Sequence, residues 1–301
     1  MKRTATILAL VALALAAKSG SALCADKNKP DFSEPPKTIT TTDGREMSFV
    51  WSDEFNGEGA PDPKSWSYEV GYLRNNEAQY YTKDRLENVF QKDGVLTIKT
   101  LKERYDIKNR PGNKGREFAE YTSGAIESLG KVEWLYGRVD VRAKLPKGKG
   151  IWPAIWMMGR NINEVGWPRC GEIDIMEYVG HTPRTSHATI HMQKKDGERW
   201  QVVSKGRNKR FDAPGEAPEE RFYVYSLEWT KDKLLLLIDN EVVLEFNRSD
   251  EESKTPVWPF DKPCYIILNT AIGGAWGGEI ADDTCPTEFL IDYVRLYQEK
   301  E

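Results

Sequence analysis

From Phe49 onward the chain consists of short β-type segments separated by Gly, Pro and Asp turns, with no amphipathic helix of ordinary length between them. Residues 95–99 read as a strand, and residues 137–143 alternate charged with small or apolar side chains, which predicts one face toward water. The apolar run at 234–238 predicts a strand buried on both faces. Many short strands predict an all-β fold, either a sandwich or a barrel.

Turn chemistry and chain length point to one domain. Asp239-Asn240 tolerates positive φ, so residues 241–246 are expected to return as the partner strand of a hairpin. Residues 289–297 read as a closing strand. With no internal repeat in 301 residues, we expect a single domain over residues 48–298.

The N-terminus reads as a targeting segment. Lys2 and Arg3 precede an apolar run that is too short to span a bilayer, which predicts a signal peptide over residues 1–25. Cleavage after Ala22 fits the small-x-small rule, and lipidation of Cys24 is the alternative. The polar, Pro-containing residues 26–47 read as a linker. The sequence thus predicts an exported protein with no transmembrane segment.

Composition excludes some functions. A net charge of −4 argues against a nucleic-acid partner, which calls for a basic face. The sequence holds ten tryptophans; some are expected to pack in the core, and the rest are candidates for stacking on sugars. The three cysteines outside the leader lack zinc spacing, so either Cys264 and Cys285 form a disulfide or Cys170, Cys264 and Cys285 are three buried thiols.

The chemistry of the chain concentrates in one strand, residues 171–178. Strand side chains alternate between two faces, so Glu172 and Asp174 share a face and Glu177 falls on the other. A carboxylate in the core is costly. A β-bulge at Ile175-Met176 would return Glu177 to the face of the other acids, and bulges are common beside active sites. The spacing therefore predicts three carboxylates in a row on one surface.

Three neighbouring carboxylates repel one another, so the pKa of at least one should rise. Glycosidases use such a separation, because one acid stays ionised to attack or stabilise the sugar while another stays protonated to donate to the leaving oxygen. The alternative is an exposed acidic strand with no chemistry.

Seven segments in order, together with the acid strand, resemble glycoside hydrolase family 16 in its laminarinase-like, bulged form. The similarity spans roughly residues 48–298. The segments are Trp51–Asn56, Asn75–Thr82, Glu87–Val89, Tyr121–Gly124, Trp152–Trp156, Asn269–Trp276 and Ile291–Tyr297, and the acid strand is preceded by Trp167–Gly171.

The resemblance implies a β-jelly-roll sandwich of two curved antiparallel sheets with a glycan cleft on the concave face. It also implies hydrolysis with retention of the anomeric configuration. By this resemblance Glu172 is the nucleophile, Glu177 is the general acid/base, and Asp174 tunes the nucleophile.

The resemblance assigns further positions around the acids. Trp152, Trp156 and Trp167 resemble the cleft aromatics that bound the sugars. Asn75 resembles a polar contact to a sugar hydroxyl on the non-reducing side. His191 matches a family histidine beside the acid/base.

A metal site is implied as well, although catalysis calls for no cofactor. Glu54, the carbonyl of Gly94 and Asp292 resemble a structural calcium site away from the cleft. Oxygen-only ligands suit that hard cation.

The expected function is endo-cleavage of β-1,3-containing and mixed-linkage β-1,3/1,4-glucans by a monomer. Three alternatives remain open: a non-catalytic glucan-binding jelly roll, a related hydrolase of algal galactans, and transglycosylation. The motif segments hold no Arg/Lys cluster of the kind that a sulfated galactan would favour.

Overall fold

The computed structural model describes residues 27–196, 199–249 and 258–300. The predicted signal peptide at residues 1–25, including Cys24, lies outside them. Within the described ranges, none of the helices is both long and apolar enough to cross a membrane.

The described residues form an almost entirely β structure. Two four-residue helices are present, Ile162–Val165 (α1) and Gly274–Gly277 (α2). The strands are Thr38–Thr40 (β1), Glu46–Asp53 (β2), Ser67–Tyr68 (β3), Gln79–Tyr81 (β4), Val89–Lys92 (β5), Val95–Asp106 (β6), Phe118–Ser123 (β7), Ala125–Glu127 (β8), Gly137–Lys144 (β9), Ile151–Gly159 (β10), Glu172–Tyr178 (β11), Thr185–Asp196 (β12), Arg199–Arg210 (β13), Tyr223–Trp229 (β14), Lys233–Ile238 (β15), Glu241–Asn247 (β16), Cys264–Ile272 (β17) and Thr287–Gln298 (β18).

The strands make two sheets. The larger has the order β16-β15-β14-β9-β18-β6-β7-β4, with β2 joining β1 to β18 and β5 added beside β6. The smaller has the order β13-β12-β11-β10-β17-β8-β3. Among the described strands the pairing is antiparallel apart from the parallel pair of β4 with β7. The predicted sandwich of two antiparallel sheets is confirmed.

One hydrophobic core lies between the sheets. The larger sheet contributes Val141 of β9 and Leu236 of β15, and the smaller contributes Ile155 of β10, Ile173 of β11 and Leu268 of β17. Because side chains alternate along a strand, the inward residues of β10 and β11 leave their neighbours on the outer face of the smaller sheet. That outer face carries the acids.

The predicted hairpin is present. Asp239 and Asn240 both have positive φ, 49° and 64°, and Ile238 pairs with Glu241. A two-residue loop of this kind matches the twist of the strands that it joins. The strand before it is buried throughout Leu234–Ile238, as predicted.

One predicted feature of β9 is wrong. Its charged side was expected to face water, but Arg138 and Arg142 are only 5% and 4% exposed. Arg138 forms ion pairs with Asp140 and Glu228, and Arg142 pairs with Asp292. Alternating charge therefore marks paired ions in the middle of a sheet here, since a buried charge needs a partner.

The segment predicted as a linker, residues 26–47, is attached to the domain wherever the structure describes it. Its last part forms β1 and the beginning of β2. Upstream, the Arg142 guanidinium donates to the carbonyl of Lys29 at 2.9 Å, and that of Arg295 donates to the carbonyl of Ser33 at 2.8 Å. Polar, Pro-containing composition did not reveal an arm that is held by arginines from distant strands.

Candidate active site

The predicted acids lie on β11, in the middle of the smaller sheet. Asp174 is opposite Thr189 and Glu177 is opposite His187, so β11 has one residue more than β12 over this stretch. The pairing of β11 with β10 slips by one residue at the same place. The predicted β-bulge at Ile175-Met176 is confirmed.

The bulge decides which face each side chain takes. Ile175 and Met176 are both buried in the core between the sheets. Glu172, Asp174 and Glu177 line one cavity on the opposite face. Two consecutive residues thus point inward, and the three carboxylates stand together.

Glu177 is held by Trp152, whose indole Nε1–H donates to its Oε1 at 3.0 Å. Burial raises the pKa of Glu177 well above its ordinary value, and the charges of Asp174 and Glu172 raise it further. The bond from Trp152 acts in the opposite direction. A carboxyl whose pKa is raised keeps its proton to higher pH than an ordinary glutamate, which suits it to donate that proton.

Asp174 lies between the two glutamates and is 2% exposed. Burial raises its pKa well above the ordinary value, and the charge of Glu172 and a hydrogen bond between the two side chains add to the effect. Glu172 is less buried and accepts a hydrogen bond at Oε2 from the indole Nε1–H of Trp167. The hydrogen bond between the two side chains is one that a protonated Asp174 donates to Glu172.

His191 is near the acids, and its charge acts to lower the pKa of Glu177. It is opposite Glu172 on β12, and its Nε2 lies 3.2 Å from Oδ2 of Asp174. The histidine opposite Glu177 is His187. Glu172, Asp174 and Glu177 form a row of carboxylates, here called the acid row. The antiparallel register puts His191 at the Glu172 end of the acid row, a position that the sequence motif alone does not reveal.

The predicted aromatics differ in what they offer to a ligand. Trp152 and Trp156 line the cavity. Trp156 is only 6% exposed, its ring lies under the Arg74 guanidinium at 4.8 Å, and its indole donates to Oδ1 of Asn269 at 2.7 Å. Trp167 is 49% exposed. Trp156 is thus a wall fixed by Arg74 and Asn269, whereas Trp167 has exposed surface for a sugar.

A polar network forms the end of the cavity around Asn75, which lines it as predicted. Its Nδ2 donates to Oε1 of Glu77 at 3.2 Å, and Gln79 donates to Oε2 of Glu77 at 2.7 Å. Asn269 donates to the Tyr81 hydroxyl at 2.9 Å. Burial raises the pKa of Glu77. These bonds fix the orientation of the donors and acceptors at this end of the cavity.

Four residues near the acids were not singled out from the sequence. Arg74, Glu77 and Asn269 line the cavity. Trp276 makes an edge contact with Trp152 at 5.5 Å between ring centroids. A signal existed, because Glu77, Asn269 and Trp276 lie inside the segments that resemble the family and Arg74 immediately precedes one.

The predicted calcium ligands are engaged otherwise. The guanidinium of Arg295 donates to both carboxylate oxygens of Glu54, and that of Arg142 donates to Asp292. Gly94 lies against an aromatic ring of the N-terminal arm. As arranged, these residues do not fit a cation, because an arginine already neutralises each carboxylate.

One group of potential metal ligands lies within the active site. Glu172, Asp174 and His191 bring one ligand atom each to within 4.8 Å of one another, and two of them are carboxylates of the proposed active site.

Cys170, Cys264 and Cys285 are free thiols, so the predicted alternative of a Cys264–Cys285 disulfide is absent.

Comparison with known proteins identifies the family. Residues 76–295 match the model of glycosyl hydrolases family 16. A β-glucanase of Rhodothermus marinus is 39% identical over 83% of this chain and 84% of its own. An endo-β-1,3-glucanase from Pyrococcus furiosus superposes with a TM-score of 0.77 at 37% identity, covering 87% of this chain and 98% of its own. SCLam, a non-specific endo-β-1,3(4)-glucanase, gives 0.72 at 40% identity, covering 91% and 96%.

Proposed function

The chain belongs to glycosyl hydrolases family 16, and from that premise we propose that it is a retaining endo-β-glucanase acting on β-1,3-containing and mixed-linkage β-1,3/1,4-glucans. The observation that carries the proposal is the bulged strand, which brings Glu172, Asp174 and Glu177 to one face of a cavity. Carboxylates of opposite protonation state on one face are what a double displacement requires.

Each acid has a distinct role in the proposed reaction. Glu172 attacks the anomeric carbon while Glu177 gives its proton to the departing glycosidic oxygen, so the C1–O bond breaks as the glycosyl–Glu172 ester forms. Glu177, now ionised, then takes a proton from water, whose oxygen attacks C1 and releases Glu172. Two displacements at one carbon restore the β configuration. Asp174 donates to Glu172 and does not react.

The surroundings of the acids support a neutral glucan as substrate. Trp152 and Trp167 each hydrogen-bond an acid through the indole nitrogen, which places two aromatic rings beside the proposed nucleophile and acid/base. Arg74 is the one guanidinium lining the cavity within the described residues, and it is paired with Glu69. A cavity without net positive charge suits sugars that carry no sulfate.

A substrate panel tests the proposal. Purified protein is incubated with laminarin, barley β-glucan, lichenan, curdlan, cellulose and agarose, and products are sized over time. We expect laminarin and barley β-glucan to give a ladder of oligosaccharides early, with a fast fall in viscosity. Digestion of agarose with no action on any glucan would contradict the proposed substrate class, and binding of glucan without any product would indicate a non-catalytic module. Products longer than the substrate would reveal transglycosylation.

Export and assembly are proposals of their own. We propose that residues 1–25 direct the protein out of the cytoplasm, either as a cleaved signal or with a lipid on Cys24. The mass of the mature N-terminal peptide distinguishes the two. We also propose that the domain acts as a monomer, which light scattering on the purified protein tests.

Calcium is not part of the proposed reaction. The ion pairs of Glu54 with Arg295 and of Asp292 with Arg142 argue against a structural calcium ion at the predicted place. A thermal shift with added calcium tests this point independently of activity.

A further inference from the structure

His191 links the acid row to the edge of the smaller sheet. On one side it is opposite Glu172 of β11, and on the other it is opposite Ser204 of β13. Its Nδ1 lies 2.7 Å from the Ser204 hydroxyl oxygen, and its Nε2 lies 3.2 Å from Oδ2 of Asp174. Both ring nitrogens therefore have a polar neighbour, and the two neighbours differ in chemistry.

The Asp174 side of the ring needs a hydrogen-bond donor. Oδ2 of Asp174 is buried and makes no hydrogen bond within the described residues, although Nε2 of His191 lies 3.2 Å away. An unsatisfied buried acceptor is costly. A small reorientation of the His191 ring would let its Nε2–H donate to this oxygen.

The Ser204 side of the ring then needs a donor as well. A neutral imidazole carries one N–H and one bare nitrogen. If Nε2 carries the proton, Nδ1 is the acceptor, and the hydroxyl of Ser204 is able to donate to it. The ionisable groups that face His191 are Glu172, Asp174 and Glu177, all from β11, while β13 presents the uncharged Ser204.

We propose that Ser204 is a positioning residue that fixes the tautomer of His191. Its hydroxyl donates to Nδ1, which keeps the proton on Nε2 and directs it to Oδ2 of Asp174. The remaining carboxyl oxygen of Asp174 then carries the proton that is donated to Glu172. Four side chains on three adjacent strands form one chain of hydrogen bonds with a single direction.

The kinetic consequence rests on the proposed function, whereas the tautomer does not. Without the hydroxyl, Nδ1 competes for the proton and Asp174 loses its fixed donor. Ser204 lies on β13, which is separated from the bulged strand β11 by β12, so ground-state binding should change little. One neutral hydrogen bond corresponds to about a three- to tenfold change in rate, which should appear in kcat and not in KM.

Nitrogen-15 NMR of the imidazole rings tests the tautomer directly. The chain has three histidines, so the spectra are simple, and the readout requires neither glucan nor catalytic activity. His191→Gln serves to assign the His191 signals. We expect wild type and Ser204→Thr to show the Nε2–H form, and Ser204→Ala to show a mixture with the Nδ1–H form.

Kinetics on laminarin supply the second readout. Ser204→Ala should lower kcat by about three- to tenfold at unchanged KM, and Ser204→Thr should restore it. Val202→Ala is the matched control, since Val202 is exposed on the same face of β13 two residues away and should match wild type in both experiments. An unchanged tautomer in Ser204→Ala, or an equal change in Val202→Ala, overturns the proposal. If the wild type cuts no glucan, the proposed function fails while the NMR result still decides the role of Ser204.

Discussion

The indole Nε1–H of Trp152 donates to Oε1 of Glu177 at 3.0 Å, so the residue that bounds the cavity also holds the proposed acid/base. The bond opposes the rise in the pKa of Glu177 that burial causes. Trp152 is in turn positioned by an edge contact with Trp276.

Replacing Trp152 should move the pH profile in a known direction. Trp152→Phe removes a donor that lowers the pKa of Glu177, so that pKa should rise further. The acid then stays protonated to higher pH, and the basic limb of kcat/KM should shift upward in pH. Profiles on laminarin measure this, with Trp51→Phe in the larger sheet as control. A basic limb that moves to lower pH would contradict the assignment of Glu177 as the acid.

The two glutamates should differ in their response to the leaving group. Glu172→Gln should abolish turnover of every substrate, because an amide does not form the glycosyl-enzyme. Glu177→Gln should abolish action on laminarin but spare the first step on an aryl β-laminaribioside whose leaving group needs no proton, because only the hydrolysis of the glycosyl-enzyme then lacks its base. Asp174→Asn should cost less than either. The burst of aryl alcohol in the first turnover and the rate of laminarin hydrolysis decide this, and loss of the burst in Glu177→Gln would contradict its role.

The bulge yields a prediction about deletions. Removing Ile175 leaves Met176 as the single inward residue between Asp174 and Glu177, so the acids keep their common face and some activity should remain. Stability should fall by about 2–5 kcal/mol, as for loss of a large core side chain. Removing Ile173 instead turns Glu172 and Asp174 to opposite faces.

Chemical denaturation and laminarin hydrolysis on the two deletion variants check this difference. We expect residual turnover above the Glu172→Gln background when Ile175 is deleted and none when Ile173 is deleted. Equal activity in both variants would show that the face of the strand does not control the chemistry.

The sequence was most informative where a pattern is local. Strand periodicity was sufficient for the all-β class, Asp239-Asn240 for a hairpin, and the spacing of Glu172, Asp174 and Glu177 for a bulge, whereas the two-sheet sandwich came from the family resemblance. Each of these follows from alternation or turn geometry over a few residues, which neighbours in the chain determine.

What the sequence did not reveal depends on contacts between distant segments. The buried arginines of β9 have partners on other strands and in the N-terminal arm. Because these partners are distant in the chain, local alternation wrongly predicted a solvent-exposed face. The cover of Arg74 over Trp156 and the position of His191 opposite Glu172 depend likewise on loop placement and strand register. The family resemblance identified the residues of the site, but the partners of those residues depend on the three-dimensional structure.

The arm and the predicted calcium site give a stability test. Arg142→Met leaves the buried Asp292 without its cation partner and should cost about 3–5 kcal/mol in the free energy of unfolding. Calcium should not raise the melting temperature of the wild type, because Arg142 and Arg295 neutralise the acids. Thermal unfolding with calcium and with a chelator measures both. A clear rise of the wild-type melting temperature with calcium would show that these ion pairs open to admit the ion.

Trapping the covalent intermediate tests the central claim most directly. A 2-deoxy-2-fluoro laminaribiosyl fluoride should glycosylate the nucleophile and hydrolyse slowly, since the fluorine destabilises both oxocarbenium-like transition states while the fluoride leaves without a proton. Peptide mass spectrometry of the inactivated enzyme should place the added glycosyl mass on Glu172. A label on Glu177 or outside β11 would contradict the assignment.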